Sequence, residues 1–317
     1  VPGALEMLLH RRRAVEAELK EHPPGTVRHE DLRRLSNSCK VAVNAFYGIL
    51  LQAGSRFYHP DVGESVTSTG RILIRAVAEH VERQGFKIIL QDTDSAGFAC
   101  APEDAPRLMA EINEHVFPAL LARFGVPAEV TRRVVQIKYA DRYKRLLQVR
   151  TKGYAGVFEL YREAPAKLDA KPEVKGLECV KGSTIKIVRE LQRAVVERIL
   201  GRGPDGTWTA PPASLAEVIG MVGAVRERFV SGEIVLEDVV CYERISKPLK
   251  EYKTRGMHVR AAERMEARGI SRGADKVAYW IARGTSDPEP RLPDEWDPKA
   301  VDLELYWEKR VLSALDG

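Results

Sequence analysis

Asp92 and Asp94 stand two residues apart in Gln91-Asp92-Thr93-Asp94-Ser95, between the apolar runs Lys87-Ile88-Ile89-Leu90 and Ala96-Gly97-Phe98-Ala99-Cys100. The pattern predicts a β-hairpin with acid at its bend. Side chains alternate along extended backbone, so in a regular strand the two carboxylates project to one side, close enough to share a divalent cation. Asp, Thr and Ser are also ordinary turn residues, so the spacing alone leaves a plain polar turn open.

Two further groups of residues suit phosphate chemistry. Between Arg132 and Lys152 the cations Arg132, Arg133, Lys138, Arg142, Lys144, Arg145, Arg150 and Lys152 are opposed only by Asp141, with Tyr139, Tyr143 and Tyr154 interleaved or close by. Such a stretch fits a surface that tracks phosphates, and equally a solvated basic sheet face. Lys40, Asn44, Tyr47 and Leu51 follow the i, i+4, i+7 spacing that lines one stripe of a helix. Arg12 lies about as far before the Pro23-Pro24-Gly25-Thr26 break as Lys40 lies beyond it, so two cations of a helical pair could face one ligand. Bare solvated side chains are the alternative.

The elements that must hold these groups read as follows. Leu5 to Glu21 predicts a helix, and Glu30 to Leu51 a second, antiparallel to it. Gly54 to Gly63 reads as a loop, and Ser68 to Arg83 as a helix ending at Gly85. Pro102 to Phe124 predicts a helix interrupted at Pro118. The period then changes to two, predicting strands at Val134–Tyr139, Arg145–Val149 and Tyr154–Leu160. Residues 163–175 read as a surface connection. Helices follow at Ile185–Leu200, Leu215–Val230, Met257–Arg268 and Val301–Leu315, with Gly201–Pro212 expected as a flexible loop exposing Trp208.

Composition narrows the class. The 317 residues are 44% apolar, enough to bury a sizeable core in two or three compact units. No apolar run approaches a membrane span and no secretory pattern opens the chain, so an intracellular protein with no membrane partner is expected. Cys39, Cys100, Cys179 and Cys241 are scattered singly, which offers neither a disulfide framework nor a zinc knuckle. Fifty Lys and Arg against 45 Asp and Glu leave +5, which permits a polyanion partner.

Taken in order, these motifs resemble the C-terminal part of a family B DNA polymerase. Leu5-Glu6-Met7-Leu8-Leu9-His10-Arg11-Arg12 is similar to the family's first fingers helix, whose arginine falls on Arg12. Lys40-Val41-Ala42-Val43-Asn44-Ala45-Phe46-Tyr47-Gly48 resembles K-x-x-x-N-S-x-Y-G except at Ala45, and Ser65 to Arg71 is similar to the helix start before the acidic hairpin. Asp92-Thr93-Asp94-Ser95 resembles the palm motif. Thr151-Lys152-Gly153-Tyr154-Ala155-Gly156 is similar to K-K-x-Y-A-G, and Lys175-Gly176-Leu177-Glu178 to the strand that ends the palm. Tyr252 through His258 to Met265 resembles the thumb, and Val301 to Trp307 its last helix.

The resemblance implies an α+β fold: an antiparallel helical fingers pair (residues 1–51), a palm with an antiparallel sheet and acidic hairpin (52–181) and a mainly helical thumb (182–317). It implies template-directed nucleotidyl transfer to a primer 3′ hydroxyl with two Mg2+ or Mn2+ ions, about 4 Å apart in such paired sites. Asp94 would be the principal metal ligand and catalytic carboxylate, with Asp92 in a lesser role. Arg12 and Lys40 would hold the triphosphate, Asn44 would help position it, and Tyr47 with Gly48 would pack beside the nascent base pair. Lys152 and Tyr154, with Lys144 and Arg145, would hold DNA. The implied partners are primer-template DNA, deoxynucleoside triphosphates, the missing N-terminal half in the same or a separate chain, and a sliding clamp.

Three departures stand against this pattern. Glu16 sits four residues after Arg12, where many relatives carry a cation; Gln91 replaces a glycine; Thr151 replaces a lysine. The family's other essential carboxylate, in an Asp-x-x-Ser-Leu-Tyr-Pro motif upstream of the fingers, does not occur in these residues, nor does the exonuclease segment. The chain is therefore expected to supply half of a two-metal site. The competing expectations are a family B-like DNA-binding or assembly subunit without catalysis, and a stand-alone nuclease, which leaves the helical pair and thumb unexplained.

Overall fold

The computed structural model describes every residue except Val1, Ala140, 162–163, Leu168, 271–275, Ser286 and 316–317. The chain forms two compact units, Val1–Lys138 and Tyr139–Gly317. Helices and small antiparallel sheets in both give the expected α+β class.

In the first unit, α1 (Pro2–Leu19) and α2 (Val27–Leu51) pack as the predicted pair around buried Val15, Leu32 and Cys39. Thr26 starts α2 by accepting the His29 amide at 3.2 Å, which satisfies one of the donors a helix leaves open at its N-terminus. Helix α3 (Pro60–Arg83) begins eight residues before the expected Ser68, with Pro60 pre-set for the first turn. Gly63, expected in a loop, is a buried helical residue. A Cβ there would lie 2.2 Å from Leu51 Cδ2, so the missing side chain is what lets the end of α2 close on α3.

Strands β1 (Ile88–Asp92) and β2 (Ser95–Phe98) form a two-stranded antiparallel hairpin. Then come α4 (Asp104–Glu111), a π-helical turn at Ile112–Val116 and α5 (Phe117–Ala122). The interruption expected at Pro118 is this wide turn, just ahead of it. Proline has no N–H for the carbonyl four residues back, and Arg132 Nη2 donates to that Glu114 carbonyl instead at 3.4 Å. The strand expected at Val134–Tyr139 does not form. Helix α6 (Ala128–Val134) takes its first residue, and Asn113 bonds both backbone groups of Ile137 at 2.9 Å, standing in for a neighbouring strand.

The second unit opens with β3 (Asp141–Arg150), β4 (Gly153–Tyr161), β5 (Ala164–Pro165) and β6 (Glu173–Lys175), all antiparallel, with β3, β5 and β6 each pairing with β4. The expected connection over 163–175 thus contains a paired strand. Helix α7 (Lys186–Ile199) and α8 (Leu215–Ser231) follow, the second started by a reciprocal Ser214–Glu217 cap. Trp208, expected on a flexible loop, is buried: its Nε1 donates to the Ala170 carbonyl at 2.8 Å and its ring packs with Ala155, Val157, Leu177 and Leu200.

The remainder is less helical than expected. Between α9 (Leu236–Val239), α10 (Met257–Ala267), α11 (Leu303–Tyr306) and α12 (Ser313–Leu315) runs a three-stranded antiparallel sheet: β7 (Cys241–Arg244), β8 (Lys276–Ala282) and β9 (Glu289–Arg291). β8 is buried throughout its second half because helices cover it, so it reads as a continuous apolar run rather than an alternating one. Tyr306 pins the core, accepting from the Ile281 amide at 2.8 Å and donating to the Val239 carbonyl at 2.9 Å.

Candidate active site

The acid of the hairpin sits where expected, in an altered arrangement. Asp92 pairs across from Ser95, so Thr93 and Asp94 are the whole of a two-residue turn. The strand ends at Asp92, and the side-chain alternation argued for the pair does not extend to Asp94. Asp92 is half-buried, its Oδ1 accepting from the Thr93 amide at 2.8 Å and from Thr93 Oγ1 at 3.2 Å. Asp94 is exposed and has no hydrogen-bond or ion-pair partner among the described residues.

The turn is held from behind. Ile88, Ala96 and Phe98 pack on Val77 and Val81 of α3 and on Ile112 and Phe117, so one hairpin face is anchored in a core. His80 Nε2 and Glu111 Oε2, 3.0 Å apart, join α3 to α4 in the same layer. Arg107, and then His80, hold the Glu111 carboxyl below its usual range.

Within the α1–α2 pair, Lys40, Asn44 and Gly48 are exposed and Tyr47 is half-buried, all on the single helix α2. Lys40 has no acidic partner among the described residues. A Cβ at Gly48 would meet open space, so packing within this chain gives no reason for a glycine there. Glu16 does not stand as an isolated negative charge: it pairs with Arg12 Nη2 at 2.8 Å and accepts from Ser36 Oγ at 3.2 Å, linking α1 to α2. Arg12 keeps a buried Nε without an acceptor among the described residues.

The basic stretch is largely compensated. Arg132 pairs with Glu114 at 3.1 Å, Arg142 with Glu159 at 2.8 Å, and Arg150 with Glu178 at 3.6 Å. Lys144 donates to the Trp208 carbonyl at 3.3 Å, and Arg145 to the Leu200 and Ala210 carbonyls at 3.0 and 2.7 Å. Lys144 and Arg145, expected on DNA, are thus donors to their own chain's 200–210 loop. Gly201 makes this insertion fit, since a Cβ there would lie 1.6 Å from Arg145 Nη1. Tyr154 is 6% exposed, so its ring does not lie open for stacking.

Lys152 occupies the tip between β3 and β4 with φ +62°, the sole non-glycine at positive φ among the described residues. Its carbonyl lies against Gly176, where φ is +65° and a Cβ would sit 1.9 Å away. Gly176→Ala is therefore expected to destabilise the protein by more than about 2 kcal/mol, read as a fall in Tm, because both the backbone conformation and the contact oppose a side chain.

One charged feature escaped the sequence reading. A cleft of about 470 Å3 in the second unit is lined by Glu178, Lys181, Glu243, Arg244, Lys309 and Arg310 among others. Glu178 pairs with Lys181 at 2.6 Å and Glu243 lies 3.9 Å from Arg310, which leaves Arg244 and Lys309 without acidic partners among the described residues. The lining comes from three separate segments, and no local run of charge announces it.

Among the described residues no three His, Cys, Asp or Glu side chains gather into a metal-binding cluster. The donors at the hairpin are two carboxylates, one of them exposed. Hard oxygen donors in such small number suit magnesium, which prefers a few carboxylates completed by substrate and water oxygens. No described helix is long and apolar enough to cross a membrane.

The chain is α+β, with an exposed acidic turn and a helix whose exposed Lys40 has no acidic partner among the described residues. A family model for DNA polymerase family B matches residues 1–312, and the chain belongs to that family. It is 31% identical over 330 residues to a DNA polymerase of Thermococcus gorgonarius, a match that takes in 100% of this chain and 38% of that protein. A DNA polymerase of Pyrococcus glycovorans is 30% identical over 328 residues, with 99% and 38% covered. Among solved structures, the family B DNA polymerase of Pyrobaculum calidifontis superposes with TM-score 0.60 at 29% identity, covering 99% of this chain and 37% of that one. The chain thus spans well under half the length of these relatives.

Proposed function

We propose that this chain is the fingers, palm and thumb portion of a template-directed DNA polymerase, the remaining portion lying in the same or a separate polypeptide. Fingers, palm and thumb correspond to residues 1–51, 52–181 and 182–317. The observation that carries the reading is the conjunction of Asp94, exposed on an anchored turn, with Lys40, exposed on α2, both without a side-chain partner among the described residues.

Asp94, with Asp92 beside it, would hold the divalent metal, which when bound supplies charge neutralisation on the transferred phosphate and activates the primer hydroxyl. The other residues act as follows. Lys40 binds the triphosphate as a point charge and Asn44 orients it, because charge develops on phosphate oxygens in the transition state. Arg12 joins them by exchanging Glu16 for a phosphate; Glu16 holds that guanidinium in place until then. Tyr47 and Gly48 offer a ring and an open backbone to the nascent base pair. Lys152, at the β3–β4 tip, faces the primer strand, while Lys144 and Arg145 serve DNA indirectly by fixing the adjoining loop. Arg244 and Lys309 give the duplex a further place for phosphate.

Joining this chain to the upstream portion of the Thermococcus gorgonarius enzyme is expected to give a protein that extends a primed template. A folded chimera that binds primed duplex and adds nothing to it would favour the non-catalytic subunit instead.

A further inference from the structure

Glu173 is absent from every motif above, yet three strands converge on its carboxylate. Its Oε2 accepts from the Tyr143 hydroxyl of β3 in a short hydrogen bond and from the Tyr154 hydroxyl of β4 at 3.3 Å, and its Oε1 lies 3.0 Å from Lys175 Nζ of β6. The Lys175 ammonium also stands 5.4 Å from the centre of the Tyr154 ring. Tyr154 is therefore gripped at its hydroxyl and over its face by neighbouring residues of one strand.

The register explains how a single side chain reaches so far. Gly156 lies directly across from Glu173 on one side and Leu146 on the other. A Cβ at Gly156 would come within 2.4 Å of the Tyr143 ring, so the glycine opens the path by which that ring crosses β4 to the carboxylate. Burial, then Glu173 itself, pushes the Tyr143 phenol far up; the Tyr154 hydrogen bond, then Glu173, does the same to Lys175. Tyr143 and Lys175 are thereby held as protonated donors to the carboxylate.

Tyr154 is two residues from Lys152, and the strand that carries Glu173 ends at Lys175, immediately before the glycine against which Lys152's carbonyl packs. Arg150, on the other side of the tip, donates to that Gly176 carbonyl at 2.7 Å. The tip is thus tied at both its feet to the segment Glu173–Gly176.

We propose that Glu173 is a positioning residue for primer binding: by clamping Tyr154 and Lys175 it fixes the β3–β4 tip so that Lys152 meets a primer phosphate in one geometry. This rests on the reading that Lys152 faces the primer. Glu173→Gln keeps the size and an acceptor oxygen but loses the charge that holds Lys175 and strengthens both tyrosine bonds. Tyr154→Phe removes one of those bonds while leaving the ring to pack.

The test is a double-mutant cycle with Lys152→Ala in the complete protein that carries this chain, measuring Kd for primed duplex, kcat at saturating DNA, and Tm. Lys152→Ala is expected to weaken duplex binding. Glu173→Gln and Tyr154→Phe are each expected to raise Kd about tenfold with Lys152 present and less than about twofold without it, kcat being little changed. Equal losses in both backgrounds, or a lower Tm with unchanged Kd, would overturn the proposal and leave Glu173 a stabilising residue only. Should Lys152→Ala itself leave duplex binding intact, the placement of the primer at this tip fails, and the proposal falls with it.

Discussion

Replacing Asp94 with Asn in the complete protein that carries this chain is expected to lower the single-turnover rate of nucleotide addition by at least about a thousandfold, with Tm and duplex affinity near those of the parent. The separation follows from where the residue stands. Asp94 is exposed, makes no internal bond among the described residues, and sits in a turn position that Asn occupies as readily as Asp. The substitution therefore removes only a negative charge and a hard oxygen donor. Asp92 is different because its carboxylate already caps Thr93, a bond Asn can keep through its own carbonyl oxygen. Asp92→Asn is expected to cost about ten- to a hundredfold, the range seen for groups that orient a metal ligand. A fully active Asp94→Asn protein would show that the hairpin is a turn and nothing more.

Lys40→Ala is expected to lower kcat/KM for the incoming nucleotide about a hundredfold, most of it through weaker nucleotide binding. Alanine is a stronger helix former than lysine and Lys40 is exposed, so α2 should lose nothing in stability. Arg12→Ala should cost less, since on the proposed reading Arg12 would have to give up its pair with Glu16 to reach a phosphate, an exchange that offsets part of what it gains. The check is a nucleotide titration under single-turnover conditions. Unaltered nucleotide affinity in Lys40→Ala would place the triphosphate elsewhere.

The elements that position these residues were legible wherever their signals are local. The Pro23–Thr26 break and apolar spacing announced the α1–α2 pair, and the apolar runs flanking Asp92 and Asp94 announced the hairpin. The family resemblance, carried by short motifs in a fixed order, extended that to the whole chain. What could not be read depends on contacts between distant residues. One acid lies within the basic stretch, so it reads as uncompensated, but Glu114, Glu159 and Glu178 and three backbone carbonyls answer it from outside. Trp208, in a segment rich in Gly and Pro, looks exposed because its cover comes from β4 and residues near 177 and 200. Val134 to Tyr139 has strand-like composition, yet a single asparagine side chain two dozen residues earlier supplies the partner. Glu16 stood as a departure from the family pattern because the hydrogen bond from Ser36 on the facing helix, which ties it to α2, is visible only once the pair is folded.

The most direct measurement is single-nucleotide addition to a primed template by the complete protein that carries this chain, with each of the four template bases and with each nucleotide supplied alone. The account predicts addition of the complementary nucleotide only, dependent on a divalent metal and abolished by Asp94→Asn. Tight binding of the primed duplex with no nucleotide added opposite any base would contradict it, and would identify the chain as a DNA-holding subunit that keeps the family's fold without its chemistry.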